Sequence, residues 1–287
     1  MNISEGLWKD LIEATVATWL VPFLGAGASA SVLPTGSELA QHLIEHGGRE
    51  YPDAFDRDLM RVAQYYQVMS KGGSDEIRAK IADLLKARRG DDLESSPHAA
   101  LAQLPVPLYV TTNYDDLMEQ ALIAAGRDPL ILYPLWNAGL GHVSDHVWGG
   151  VQVEQIEPSV TRPVVYHLHG YWDEPRSMVL TEDDYIHFLS GIHNPELLPV
   201  LCRQALSSAY LLFVGYSLRD WNIRILLKRE QREGRKALAI IRPPTDEHLA
   251  EFLRRDLALR SVQILWGTAQ EFTDEFMIRW QERQRPG

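Results

Sequence analysis

Two histidines spaced as on a strand, His167 and His169 in the string His167-Leu168-His169-Gly170, are the side chains of this chain best suited to moving a proton near neutral pH. A neutral imidazole with a pKa near ~6.5 is the natural general base there. Gly170 opens space beside the second of them, and one of the pair reads also as a packed core histidine. A second group is Thr111-Thr112-Asn113-Tyr114-Asp115. Asn113 offers both a donor and an acceptor, and Asp115 can cap a following helix, so ordinary turn and capping chemistry explains the string when it is taken alone. A third is the glycine turn Gly25-Ala26-Gly27-Ala28-Ser29-Ala30, which lets backbone approach a phosphate closely at the positive start of a helix. A tight turn of small residues made only for packing is an equal reading of that string. The fourth, Gly215-Tyr216-Ser217, is a small-residue turn with room for a ribose or phosphate, or simply a helix start.

Other constellations are weaker. Glu45 has the spacing of the ribose-binding acid of a dinucleotide site but lies in helical sequence with no strand before it, which disfavours a standard hydride-transfer dehydrogenase. His142 and His146 sit in glycine-rich surroundings that read as a loop rather than a metal-binding helix turn. Cys202 is the single cysteine, so no internal disulfide and no multi-cysteine zinc module can be built. With 28 Lys plus Arg against 39 Asp plus Glu the net charge is −11, and no basic block is present, so a phosphate-tracking nucleic-acid groove is not expected. No apolar run reaches the ~18 to 20 residues of a membrane span, and the first twenty residues carry acids unlike a signal peptide; the expectation is a cytoplasmic protein without a membrane segment.

The elements that must position these groups can be read from periodicity. Leu20 to Leu24, Pro107 to Thr112, Val164 to Leu168, Tyr210 to Val214, Ala237 to Ile241 and Val262 to Trp266 are short, nearly continuous apolar runs. Helical spacing separates them, as in Asp115 to Ala125, Asp220 to Glu233 and Asp246 to Leu259. Strands buried on both sides and alternating with helices imply an α/β fold, a doubly wound Rossmann-like parallel sheet of about six strands. Residues 37–104 show helical spacing without a strand and predict an added helical layer or subdomain, while 137–160 reads as a lid or insert, or as a protein contact. Thr181 to Tyr185 has the form of a capped helix start, with Asp184 as the capping acid. One domain over 1–287 is expected. Each chemical group falls just after a strand, where such sheets bind ligands.

Taken together and in this order, GAGAS at 25–29, TTNYD at 111–115, HG at 169–170 and GYS at 215–217 resemble the sirtuin-like family. The strings HLHGYWDEP, VLTEDDY and VGYSLRDWNI are similar to its prokaryotic branch of antiphage defence NADases. The resemblance spans about 190 of the 287 residues. It implies NAD as substrate, with His169 as catalytic base and Asn113 orienting water or ribose. Gly25, Ala26, Gly27 and Ser29 would carry the pyrophosphate, Gly215 and Ser217 the adenosine side, and Asp115 would brace the turn. Two departures shape the implied activity. The four-cysteine zinc module of protein deacetylases cannot exist with one cysteine, so no zinc is expected, and Ser31 to Gly36 replaces the Asp-Phe-Arg stretch that deacetylases place over nicotinamide. The implied reaction is therefore hydrolysis of NAD to nicotinamide and ADP-ribose by an NAD-depleting effector; ADP-ribosyl transfer and a non-turning-over NAD or ADP-ribose module are the alternatives. The family further implies a homo-oligomer restrained by a separate partner, such as a HerA-type ATPase or an Argonaute-like sensor.

Overall fold

The computed structural model describes residues 3–87, 93–134, 156–191, 202–203, 210–216, 236–258 and 261–284. Trp136, His142, His146, Ser217, Trp221, the expected helix over 220–233 and the 137–155 part of the expected lid lie outside them. The chain opens with α1 (Glu5–Val16), capped by Ser4, whose hydroxyl accepts from the Leu7 N–H. Then come β1 (Leu20–Leu24) and a single turn, α2 (Ala26–Ser29). Four helices follow: α3 (Gly36–His46), α4 (Leu59–Met69), α5 (Gly73–Ala87) and α6 (Pro97–Ala102). The remainder is β2 (Leu108–Thr111), α7 (Leu117–Ala124), β3 (Leu130–Leu132), β4 (Val164–His167), α8 (Glu182–Gly191), β5 (Tyr210–Val214), β6 (Ala237–Ile241), α9 (Glu247–Ala258), β7 (Val262–Trp266) and α10 (Ala269–Gln284).

The strands form one sheet in the order β3-β4-β2-β1-β5-β6-β7, every pairing parallel. Seven strands stand where about six were expected. The extra one, β3, is three residues long at the sheet edge, too short to show a period of its own. Because side chains alternate across a strand, the sheet makes two cores. Val21, Phe23, Val110, Tyr166, Leu211 and Phe213 face one side, where Phe188 of α8 and Leu257 of α9 cover them. Leu20, Leu24, Tyr109, Val165, Leu212 and Val214 face the other, under α1, α6, α7 and α10. The order of strands reverses direction at β1: β2, β4 and β3 lie to one side and β5, β6 and β7 to the other, so the topological switch point lies between β1 and β5.

The predicted helical layer is present as α3, α4 and α5, which share a third core with Leu117, Met178 and Leu180. The last helix of the 37–104 stretch, α6, packs on the sheet instead through Leu101 and Ala102. Buried Arg78 of α5 donates to the Met178 carbonyl and pairs with Asp184 of α8, tying this layer to the segment after β4. Asp184 also accepts the Leu180 and Thr181 N–H groups, so the expected helix start carries a second, tertiary duty. No helix among the described residues is long and apolar enough to cross a membrane.

Candidate active site

All four chemical strings lie at the carboxyl ends of four neighbouring strands. In spatial order His169 follows β4, Asn113 follows β2, the 25–29 turn follows β1, and Gly215 follows β5. Thr111 is paired in register with His167, and the Leu168 N–H donates to the Thr111 carbonyl at 2.8 Å. Asn113 and His169 therefore each stand two residues past a matched pair on adjacent parallel strands.

The glycine turn is closed by β5. The Gly25 N–H donates to the Val214 carbonyl at 3.0 Å and the Gly27 N–H to the Gly215 carbonyl at 2.8 Å. A Cβ on Gly27 would lie 2.8 Å from the Gly215 oxygen, so the first use of this glycine is the contact of two backbone turns across the switch point. Gly215 itself has φ +68°, the left-handed region that glycine enters without steric cost.

Asn113 is buried against the same turn. Its Nδ2 donates to the Gly25 carbonyl at 3.2 Å and to the Ser29 hydroxyl at 3.0 Å. Gly25 O can only accept, which fixes the NH2 end of the carboxamide toward the turn and leaves Oδ1 to meet a ligand. Ser29, 3% exposed, donates to Asp115 Oδ2 at 3.1 Å, and its Oγ lies 3.4 Å from His98 Nε2. With the His98 proton on Nε2, the Ser29 oxygen accepts twice and donates once, and the unpartnered His98 Nδ1 is a bare lone pair. The Ser29 hydroxyl is thus spent on protein partners. Asp115 braces the turn as well, its Oδ1 accepting the Leu117 N–H at 3.1 Å.

Burial holds His98 neutral, pushing its imidazole down to about 4, and pushes the Asp115 carboxyl up to about 6, with the nearby Glu119 charge adding to the rise against the Leu117 N–H. These act oppositely on stability. The His98 contribution is fully present above ~6.5 and is lost as pH falls toward 4; that of Asp115 is fully present below ~3.8 and is lost as pH rises through 6. Wild type should accordingly lose roughly 3 kcal/mol of stability relative to His98→Phe on going from pH 7 to pH 4. Denaturant unfolding at the two pH values measures it, and an unchanged difference would exclude a neutral, buried His98.

The two histidines at the end of β4, His167 as its last residue and His169 two residues beyond, have separate fates. His167 is wholly buried, its Nδ1 3.0 Å from the Asn113 carbonyl oxygen and its Nε2 hydrogen-bonded to Glu119 Oε1. It is the core histidine of the pair. His169 lies between the edges of Tyr185 at 5.4 Å and Phe188 at 5.2 Å on α8, and its carbonyl accepts the Val179 N–H at 2.9 Å. The turn behind it needs Gly170: φ is +90° and a Cβ would fall 2.2 Å from the Ser177 oxygen.

Three participants were not singled out in the sequence: Glu119, His98 and Phe188. Glu119 had a signal, since an acid sits among Leu117, Met118, Ala121 and Leu122 of a largely apolar helix. His98 had the same kind of signal, at the second position of the apolar helix Pro97–Ala102. Glu45, by contrast, lies on α3 bonded to Gln41, away from any strand end. Cys202 is buried, with burial pushing its thiol well above the usual range. Among the described residues no group of three or more His, Cys, Asp or Glu could hold a metal ion.

Residues 107–260 match the family model described as SIR2-like domain. The chain is 28% identical over 265 residues to a protein of Bacillus cereus (strain MSX-D12) called NAD(+) hydrolase ThsA, covering 90% of this chain and 50% of that one. It is 30% identical over 224 residues to the protein of the same name from Acinetobacter baumannii (strain 532279), covering 77% and 40%. Defense-associated sirtuin 2 of Bacillus subtilis is 24% identical over 234 residues, covering 79% and 20%. The chain thus spans half or less of the length of these relatives.

Proposed function

The chain belongs to the SIR2-like domain family, and from that premise we propose that it is an NAD+ glycohydrolase, an NAD-depleting antiphage effector held in check by assembly or by a separate sensor protein. What carries the reading is the convergence of Asn113, the 25–29 turn and the His169 segment at the ends of adjacent strands, with Asn113 bonded directly to Gly25 and Ser29. The relatives named as NAD(+) hydrolases support the substrate.

The chemistry asks little acid catalysis. Nicotinamide departs as a neutral group with the bonding pair of a cationic glycosidic bond, leaving an oxocarbenium-like ribose, so the protein's work is to orient the ribose, exclude stray water and activate one nucleophile. His169 takes the proton of the attacking water as its oxygen bonds to the anomeric carbon. Asn113 Oδ1 holds that water or a ribose hydroxyl. The turn of Gly25, Ala26 and Gly27 is the pyrophosphate side, with the Gly25 and Gly27 N–H groups themselves bonded to Val214 and Gly215; Asp115 and Ser29 keep the turn in shape; Gly215 and Ser217 belong to the adenosine side.

Incubating the protein, alone and with candidate partners, with NAD+ and following nicotinamide and ADP-ribose tests the reading. Stoichiometric release of both supports it. Tight binding without nicotinamide in every condition would make the fold a binding module, and label arriving on macromolecule would make it a transferase. Asn113→Ala should lower hydrolysis about 100-fold, the order of cost of misplacing a reacting group. It should also lower the Tm, because the Gly25 carbonyl and Ser29 hydroxyl lose a buried donor. Turnover within a few-fold of wild type would remove Asn113 from the mechanism.

A further inference from the structure

The backbone of Asn113 is gripped by a group with no place in the reaction just described. His167 stands between two oxygens, the Asn113 carbonyl at Nδ1 and the Glu119 carboxyl at Nε2, and all three residues are buried. A peptide carbonyl cannot donate, so Nδ1 must carry a proton. The second contact needs one as well, on Nε2 or on Oε1. Two protons are therefore shared among three groups, and a neutral histidine beside a carboxylate supplies only one. Loss of either proton turns one of the two contacts into an oxygen lone pair facing a nitrogen lone pair.

We infer that His167 and Glu119 act as a positioning couple that fixes the Asn113 turn for NAD+ cleavage. This inference rests on the reading of Asn113 as a residue of the reaction. The couple reaches Asn113 through the main chain, while its side chain is held separately by Gly25 and Ser29, so the residue is held at both its backbone and its carboxamide nitrogen. The groups facing His167 agree with a retained proton: Glu119 from α7, Asp115 from the turn after β2, and the Tyr171 ring at 4.7 Å from the segment after β4. Burial alone would discharge the imidazole, but the Glu119 charge, its hydrogen bond, the Asn113 carbonyl and Asp115 outweigh it and hold the imidazole above its ordinary range. The contribution to stability and to positioning is then fully present below ~6.5 and is lost as pH rises through the raised value of the couple.

Two variants test it. In Glu119→Leu/His167→Phe an apolar pair of similar bulk replaces the couple, an exchange that buried ion pairs often tolerate without loss of stability. This protein should keep its fold yet lose kcat about 10 to 100-fold with KM within about threefold, because the Asn113 carbonyl has lost its tether. Glu119→Gln keeps the acceptor and removes the charge. It should hydrolyse faster than the double variant at low pH and move the alkaline limb of the kcat profile down by about one pH unit or more relative to wild type. The side-chain amide resonance of Asn113 in protein labelled with 15N-asparagine reports the same event without turnover: it should titrate in wild type, titrate at lower pH in Glu119→Gln and not titrate in the double variant. A wild type that titrates in this way but never releases nicotinamide would defeat the NAD+ reading and leave the clamp standing. A folded double variant with wild-type kcat, or an Asn113 resonance indifferent to Glu119→Gln, overturns the couple; should the double variant not fold, Glu119→Gln decides by its pH profile and resonance alone.

Discussion

Replacing His169 by Phe is expected to slow NAD+ hydrolysis by roughly 10² to 10⁴-fold while leaving NAD+ affinity within a few-fold of wild type. The loss follows from the removal of the nitrogen that accepts the water's proton, the largest single contribution a side chain makes to this reaction in the proposed mechanism. Phenylalanine is the informative replacement because the ring occupies a slot between the edges of Tyr185 and Phe188 and is 3% exposed. Alanine there should be equally inactive, but it would also leave a cavity and lower the unfolding free energy by an amount typical of a large-to-small core change, about 2 to 4 kcal/mol. The Phe variant separates chemistry from packing. Hydrolysis within tenfold of wild type, in a protein with an unchanged melting curve, would show that His169 is not the base.

Gly215→Ala should, like Gly170→Ala, be among the most damaging single methyl groups in the described part of the molecule. The added Cβ would lie 2.1 Å from the Ala28 nitrogen and 2.5 Å from the Gly27 carbonyl carbon, backbone atoms of a different turn that cannot swing aside as a side-chain tip can. The positive φ of +68° adds the left-handed penalty of about 1 to 2 kcal/mol. The two turns must separate, which breaks the 2.8 Å bond from the Gly27 N–H to the Gly215 carbonyl and opens the phosphate side of the site. A loss of about 3 kcal/mol or more is expected, together with NAD+ binding too weak to detect. Gly126→Ala supplies the control. There φ is +77° but nothing lies within 4 Å of the added carbon, so only the conformational penalty applies, about 1 kcal/mol. Equal effects of the two substitutions in chemical denaturation would show that the contact of the β1 and β5 turns is not what Gly215 serves.

The legible part of the fold was its grammar. Buried strands such as Leu20–Leu24 and Tyr210–Val214 announce themselves by unbroken apolar runs, and helix starts such as Ser4 and Ser96 by a hydroxyl that accepts a first-turn N–H. The candidate site was legible as strings placed after four strands. What each residue does within it was less so. The family resemblance implies Ser29 as a pyrophosphate ligand, yet its hydroxyl is consumed by Asn113, Asp115 and His98. Gly27 reads as a phosphate approach, yet its missing side chain makes room for Gly215.

Residue order alone determined which chemistry was on hand: an imidazole before a glycine, a carboxamide in a turn, small residues after buried strands, one cysteine. It determined this because local spacing records burial period and turn type. Tertiary structure decided who meets whom. His167 and Glu119 are 48 residues apart, Asn113 and Gly25 88, Ser29 and Asp115 86, and these encounters exist because the sheet places β4, β2, β1 and β5 side by side. Strand order is set by how all the apolar faces are buried at once, a long-range balance that no short window of sequence contains.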